Sequence, residues 1–270
     1  MSGRTSSAQR AVAVILARAG SKGLPHKNGL PVAGRPCIAW TIEHARSAAC
    51  VGVTAVSTDG AALADIARGE GAAVIERPAD LAGDSATVDA AARHAVETLE
   101  AGRALGLSRR VPVADDDAVV ILYGNVPVRP VGLIDRAVEM LRRTGCDSVQ
   151  SYAPVGKYHP WWTARLDAAT GAVRPWEGEV LNHNTFRRQD LPPAYIPDGG
   201  VIAVTRRALF NQVPGATPGP HQFFGVDRRG VLNREGAVVD IDNRIDLLVA
   251  DAMLREQMGM VGEPVRGGVA

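Results

Sequence analysis

The chain of 270 residues reads as an α/β protein built on a mostly parallel sheet. Short apolar runs occupy residues 11–17, 51–56, 72–75 and 118–123, each the length of a buried strand. Helical patterns separate them at residues 38–48, 61–68, 87–105 and 133–143. Strands alternating with helices imply parallel crossovers. Apolar residues make up 46% of the chain, enough for a core that covers a sheet.

Taken in order, the first run (AVAVILA) is continuous and β-rich, as a strand buried on both faces must be, and it empties into a Gly-containing loop. Gly145 follows the helix at 133–143, where a left-handed cap belongs. From residue 148 to 204 the rhythm changes to short β-prone pieces broken by Pro154, Pro160, Pro175, Pro192, Pro193 and Pro197, a substrate-facing excursion rather than another strand–helix unit. A last strand is predicted at 237–241, followed by a helix over 244–258. Residues 1–10 read as a disordered leader, 11–258 as one domain and 259–270 as a flexible tail, with 101–117 and 213–220 weakly ordered. There is no internal repeat.

The net charge is +1, from 30 basic and 29 acidic residues, which leaves no global field for nucleic acid or an anionic membrane. Any anion specificity must be local. Cys37, Cys50 and Cys146 stand apart, with no disulfide framework or zinc ribbon spacing, which fits a reducing, cytoplasmic setting. No apolar run is long enough to cross a bilayer.

The local anion site is at the first loop. Before Glu43 there is no acidic residue, while Arg4, Arg10, Arg18, Lys22, Lys27 and Arg35 all precede it. The chain has three lysines, and two of them, Lys22 and Lys27, lie in this loop with Gly20 and Gly23. Backbone N–H groups and compact ammonium charges after a strand suit a polyphosphate. The loop is not a P-loop, and it departs from the G-x-G-x-x-G dinucleotide fingerprint because Arg18 fills the first place. A side chain there would crowd a pyrophosphate against the backbone and would reach the phosphates itself.

The string LARAGSKGLPHKN, followed in order by VAGRPCIAWTIEHA, ERPADLAGDSATVDAAARHAVE, VILYGNVPVRP, FRRQDLPPAYIPDGG and VVDIDNRIDLLVADAML, resembles the CMP-sugar synthetases, the family that includes acylneuraminate cytidylyltransferase. The resemblance spans about residues 11–254. It implies a three-layer Rossmann-like nucleotidyltransferase fold, and a homodimer in which the 148–204 excursion reaches the partner's site.

By the same resemblance, Arg18 and Lys27 would hold the triphosphate, Asn28 would hydrogen-bond near the reacting phosphate, and Lys22 would assist, within a nucleotide site of Ala17, Arg18, Gly20, Ser21, Lys27, Asn28, Arg77 and Thr87. Arg77 and Thr87 would recognise cytosine; alternatively Arg77 pairs with Asp80 or Asp84 and Thr87 begins a helix. Asp240 and Asp242 alternate to one side of the predicted last strand, and a divalent cation, Mg²⁺ with a nucleotide, would relieve their repulsion; helix capping is the competing reading, more so for Asp242. Asp246 resembles a structural position in the following helix. The sugar acid would meet Tyr123, Asn125, Arg129, Arg187, Arg188, Gln189, Tyr195, Asp198 and Phe224, with Arg129, Arg187 and Arg188 as carboxylate clamps. Phe223 and Phe224 serve equally well as core.

Two departures bear on the sugar. Tyr123 stands where acylneuraminate enzymes usually carry Gln, which looks more like the pseudaminic-acid branch, and Asp198 stands where they usually carry Asn. Asp198 should turn toward Arg187 or Arg188, or recognise a hydroxyl or amine of the sugar. The reading is thus a Mg²⁺-dependent enzyme that joins CMP from CTP to an acidic 2-keto-3-deoxy sugar, with Asp240 receiving the hydroxyl proton. Its rivals are a metal-dependent glycosyltransferase of related fold and a catalytically silent nucleotide-binding protein.

Overall fold

The computed structural model describes residues 10–20 and 23–260. Its strands are β1 (Ala11–Leu16), β2 (Pro31–Val32), β3 (Arg35–Pro36), β4 (Val51–Thr58), β5 (Ala73–Glu76), β6 (Ala118–Tyr123), β7 (Ser148–Pro154), β8 (Ala164–Leu166), β9 (Val173–Pro175), β10 (Tyr195–Thr205) and β11 (Arg228–Leu232). The helices are α1 (Cys37–Ser47), α2 (Ala61–Gly69), α3 (Val88–Glu100), α4 (Leu133–Thr144), α5 (Arg206–Leu209) and α6 (Arg244–Gln257). Seven strands form the main sheet in the order β11-β7-β10-β6-β1-β4-β5. All neighbours pair in parallel except β10, which is antiparallel to both β6 and β7.

Alternation along β1 shows how the layers arise. Ala11, Ala13 and Ile15 face one apolar cluster with Ile38 and Ile42 of α1, Leu63 of α2 and Leu141 of α4. Val12 and Val14 face the other, with Val96 and Leu99 of α3 and Leu209 of α5. Period-two alternation in a strand buried on both sides therefore produces helix, sheet and helix layers. Gly145, at φ 66°, caps α4 by donating to Leu141 O at 3.0 Å.

Several expectations need correction. The excursion is narrower than 148–204, because β7 and β10 at its two ends are strands of the main sheet; Pro154 and Pro175 end strands, Pro197 sits beside a register shift, and Pro160, Pro192 and Pro193 lie between strands. The helix predicted to Leu105 ends at Glu100, since Gly102 takes φ +69° and Leu105 turns back to exchange hydrogen bonds with Val74. In place of the strand predicted at 237–241 there is a bend at Ala237 and Val238 and a single bridge, Val239 to Val128. Segment 101–117 is pinned: Arg206 binds Glu100 at 2.7 Å and Asp115 at 3.0 Å, and Arg207 binds Asp116 at 3.0 Å. Residues 1–9 of the expected leader and 261–270 of the expected tail lie outside the described residues.

Candidate active site

β1, β4 and β6 run in parallel, so their C-terminal ends open on one crevice, the place where open α/β sheets bind ligands. The first loop leaves β1 there. Ala17 N donates to Ser57 O of β4 at 3.1 Å, and Ala19 N donates to Asp59 Oδ1 at 2.8 Å. Arg18 reaches Asp84 at 2.7 Å. The buried Asn28 donates to Arg18 O at 2.9 Å, bracing the loop from inside, while its Oδ1 has no protein partner. A cavity of about 270 Å³ opens beside these residues, lined by Arg18, Asn28, Leu30, Gly60, Leu63 and Ile66 among others. Gly20 has open space around it; Ser21 and Lys22 lie outside the described residues.

The loop closes on the far end of the chain. A Cβ at Gly23 would come 2.7 Å from Asp242 O, so only glycine allows that approach. Lys27 Nζ then donates to Asp242 Oδ1 at 2.6 Å. Asp240 faces the same crevice from a half-buried position, where Asn125 Nδ2 donates both to Asp240 Oδ1 and, at 3.1 Å, to Ile241 O. Burial, reinforced by the Asp242 charge and opposed by Lys27 and Arg129, pushes the Asp240 carboxyl up to about 6. Tyr123 lines the crevice, its phenol raised by burial and then by Asp240.

Other residues are committed to structure. Arg129, wholly buried, was the expected carboxylate clamp; instead it gives Nε to Gly200 O at 2.7 Å, Nη2 to Tyr123 O at 3.0 Å, and Nη1 to Thr41 Oγ1 at 2.9 Å and to Val126 O. Desolvation lowers its pKa to about 9. Those bonds take up four of its five N–H donors, so it has no pair left for a bidentate carboxylate clamp. Asp198 does not turn toward Arg187 or Arg188; Ser151, Gly200 and Asn233 donate to it. Phe224 is core, tilted by 31° against Phe223 with ring centroids 4.1 Å apart. Arg77, buried, spends Nε and Nη2 on Ser57 at 3.0 and 2.6 Å, and burial, with Arg18 nearby, lowers its pKa to about 10. Thr87 caps α3, accepting from Ala90 N at 3.4 Å. Asp242 is no helix cap: Asn243 and Asp246 form the capping box of α6.

Arg187, Arg188, Gln189 and Tyr195 lie on the exposed lobe between β7 and β10 or at its edge. Arg188 pairs with Glu235 and lines a separate cavity of about 190 Å³ with Tyr195, His159 and Pro154. The fold thus gathers Arg18, Lys27, Asn28, Tyr123, Asn125, Asp240 and Asp242, and leaves the arginine pair apart. Sequence reasoning missed Asp59, Ser57 and Ser151. Asp59 carried a usable signal, since it directly follows β4 and precedes the glycine that opens α2.

The cytidylyltransferase family model matches residues 12–185. The chain belongs to the cytidylyltransferase family. It is 32% identical over 251 residues to the CMP-N,N'-diacetyllegionaminic acid synthase of Legionella pneumophila, covering 91% of this chain and 96% of that one. It is 30% identical over 239 residues to the N-acylneuraminate cytidylyltransferase of Streptococcus agalactiae, covering 88% of this chain but 51% of that longer relative. Among solved structures, CMP:2-keto-3-deoxy-manno-octonic acid synthetase complexed with CTP superposes with a TM-score of 0.62 at 19% identity, over 92% of this chain and 99% of that one. The last likeness shows the fold: a mostly parallel sheet between helices.

Proposed function

We propose that this cytidylyltransferase transfers CMP from CTP to an acidic 2-keto-3-deoxy sugar of the nonulosonic class and releases pyrophosphate. The observation that carries the reading is the closure of an acid-free cationic loop on two carboxylates, Lys27 on Asp242 with Asp240 beside it. Similarity to the legionaminic-acid synthase over nearly the full length of both chains supports a legionaminic-type acid as acceptor, with an N-acylneuraminate second.

The sugar's anomeric hydroxyl attacks the α-phosphorus, the bond from that phosphorus to the bridging oxygen breaks, and pyrophosphate leaves. The hydroxyl proton passes to Asp240, which Asn125 holds in the crevice. Arg18 and Lys27, assisted by Lys22, balance the charge that builds on the leaving pyrophosphate, and the crevice supplies alignment.

A divalent cation fits the donor set. Asp240 is a carboxylate held at an electrostatic cost beside Asp242, which a cation would relieve. Among the described residues no group of three or more His, Cys, Asp or Glu is gathered for a metal, and Mg²⁺ characteristically takes one or two carboxylates plus substrate phosphates. Asp240 would hold it, with Asp242 second and shared with Lys27. When bound, Mg²⁺ would neutralise phosphate charge and orient the triphosphate.

The lobe between β7 and β10 exposes Leu166, Val173, Trp176, Leu181 and Phe186, which supports a homodimer formed through this lobe. The unpaired cysteines support a cytoplasmic setting, and no helix among the described residues is long and apolar enough to cross a membrane. The test is incubation with CTP, Mg²⁺ and N,N'-diacetyllegionaminic, pseudaminic, N-acetylneuraminic or 3-deoxy-manno-octulosonic acid. Pyrophosphate release with formation of a CMP-sugar is the expected result. A glycosyltransferase would release none, and a silent binding protein would turn over nothing.

A further inference from the structure

β10 does not run evenly past the crevice. Its register with β7 shifts between Pro197 and Ile202, and the irregular stretch carries Asp198, Gly199 and Gly200. Such bulges beside a site re-aim the backbone. Gly199, at φ +74°, faces the gap between two site residues: a Cβ there would lie 3.8 Å from Asp240 Oδ2 and 4.0 Å from Tyr123 Cδ2.

A chain of hydrogen bonds with a fixed donor order holds this stretch. Asp198 Oδ1 accepts from the Ser151 hydroxyl and, at 3.0 Å, from Gly200 N. Asp198 Oδ2 accepts from Asn233 Nδ2 at 2.7 Å, and Asn233 Oδ1 accepts from Arg136 Nη2 at 2.8 Å. The buried Ser151 also accepts from Val201 N at 2.9 Å, and Arg129 ties down Gly200 O. A guanidinium can only donate and an ionised carboxylate can only accept, so the Asn233 amide has one orientation that satisfies both neighbours.

We propose that Asp198 and Asn233 are a positioning pair for the acceptor half of the site: without touching substrate, they set where Gly199 stands against Asp240 and Tyr123. The inference rests on the CMP-transfer reading above. The nucleotide is held from the β1 loop, whereas Gly199 approaches the Asp240–Tyr123 gap from β10, so a disturbance of the pair falls on the sugar acid.

Donor logic supplies the test. In Asp198→Asn the new NH2 group meets the NH2 of Asn233, and turning Asn233 over only moves the conflict to Arg136. In Asn233→Asp two carboxylates face each other. The double exchange Asp198→Asn with Asn233→Asp restores a donor to each acceptor and gives Arg136 a carboxylate. Pyrophosphate release is followed with CTP, Mg²⁺ and whichever acid of the panel wild type turns over fastest.

Asp198→Asn should raise KM for the sugar acid about tenfold and leave KM for CTP within about twofold, the loss of one hydrogen bond to a charged group. The double exchange should return the sugar-acid KM to within about threefold of wild type. Asn233→Ala, which removes only the outer partner, gives the same split if Asp198→Asn does not fold. The inference is overturned by a folded variant with the wild-type sugar-acid KM, by equal rises in both KM values, or by a double exchange no better than the singles. A wild-type protein inert toward every acid sinks the CMP-transfer reading itself, before any variant is made, and this inference with it.

Discussion

Lys27 Nζ and Asp242 Oδ1 meet at 2.6 Å across a sequence separation of 215 residues, so the phosphate loop and the carboxylate segment form one unit. Side-chain exposure is 18% for Lys27 and 70% for Asp242, which makes the lysine the more constrained partner.

Lys27→Ala removes a cation that serves both sides. A charge-assisted contact to the triphosphate is worth roughly 1.5–3 kcal/mol, so kcat/KM for CTP should fall at least about tenfold in a protein that still folds. Wild-type kinetics in the folded variant would remove Lys27 from the triphosphate site.

Asp240→Asn should separate activity from stability. The folded carboxyl titrates near 6 against an ordinary 3.8, so its stabilising protonated form is present below about 3.8 and lost as pH rises through 6. At pH 8, with no nucleotide or metal added, the ionised group costs on the order of 3 kcal/mol. Turnover should collapse in the variant while its thermal midpoint at pH 8 rises. A lowered midpoint would contradict the assignment of strain to this carboxylate.

Arg129→Met tests the buried bracket. It leaves Gly200 O without its side-chain donor and Tyr123 O and Val126 O with Thr41 as their remaining side-chain donor, a loss of about 3 kcal/mol in urea unfolding. Arg129→Lys should recover little, since one ammonium cannot span the same acceptors. Unchanged unfolding midpoints would return Arg129 to the list of substrate contacts.

His44 sets an acid limit. Burial, with Arg129 adding to it, lowers its pKa to about 4, so it is neutral in the fold while the unfolded chain takes up a proton near 6.5. Stability should therefore drop as pH falls from about 6.5 to 4, by on the order of 3 kcal/mol from this group. His44→Gln should flatten that slope in urea midpoints measured across the window, and an unchanged slope would assign the acid loss elsewhere.

The parallel half of the fold was legible because its strands are buried on both faces and so read as continuous apolar runs; Ala118–Tyr123 was placed to the residue. β10 was not, since its first half is exposed or half-buried and carries Pro197, and burial becomes continuous only from Gly200. The loop cations were legible as charge after a strand, and Asp240 and Asp242 as paired carboxylates, although the strand predicted before them reduces to one bridge. What composition could not separate is an arginine facing ligand from one spent on carbonyls, hence Arg129, or an aspartate facing solvent from one surrounded by donors, hence Asp198. Those roles depend on partners far away in the chain.

The position of β10 also orders events during synthesis. It lies between β6 and β7, both of which precede it, so those two strands cannot become neighbours in the sheet and each keeps an unpaired edge until Tyr195–Thr205 has been made. A ribosome that has finished β7 therefore carries a four-stranded sheet, β6-β1-β4-β5, with an open β6 edge, and a β7 strand with neither neighbour yet made, the form most prone to joining another chain. The carboxylate segment is translated later still. The β1 loop is translated early, but the crevice it shares with Asp240 and Asp242 closes only after the segment leading into α6 has been made.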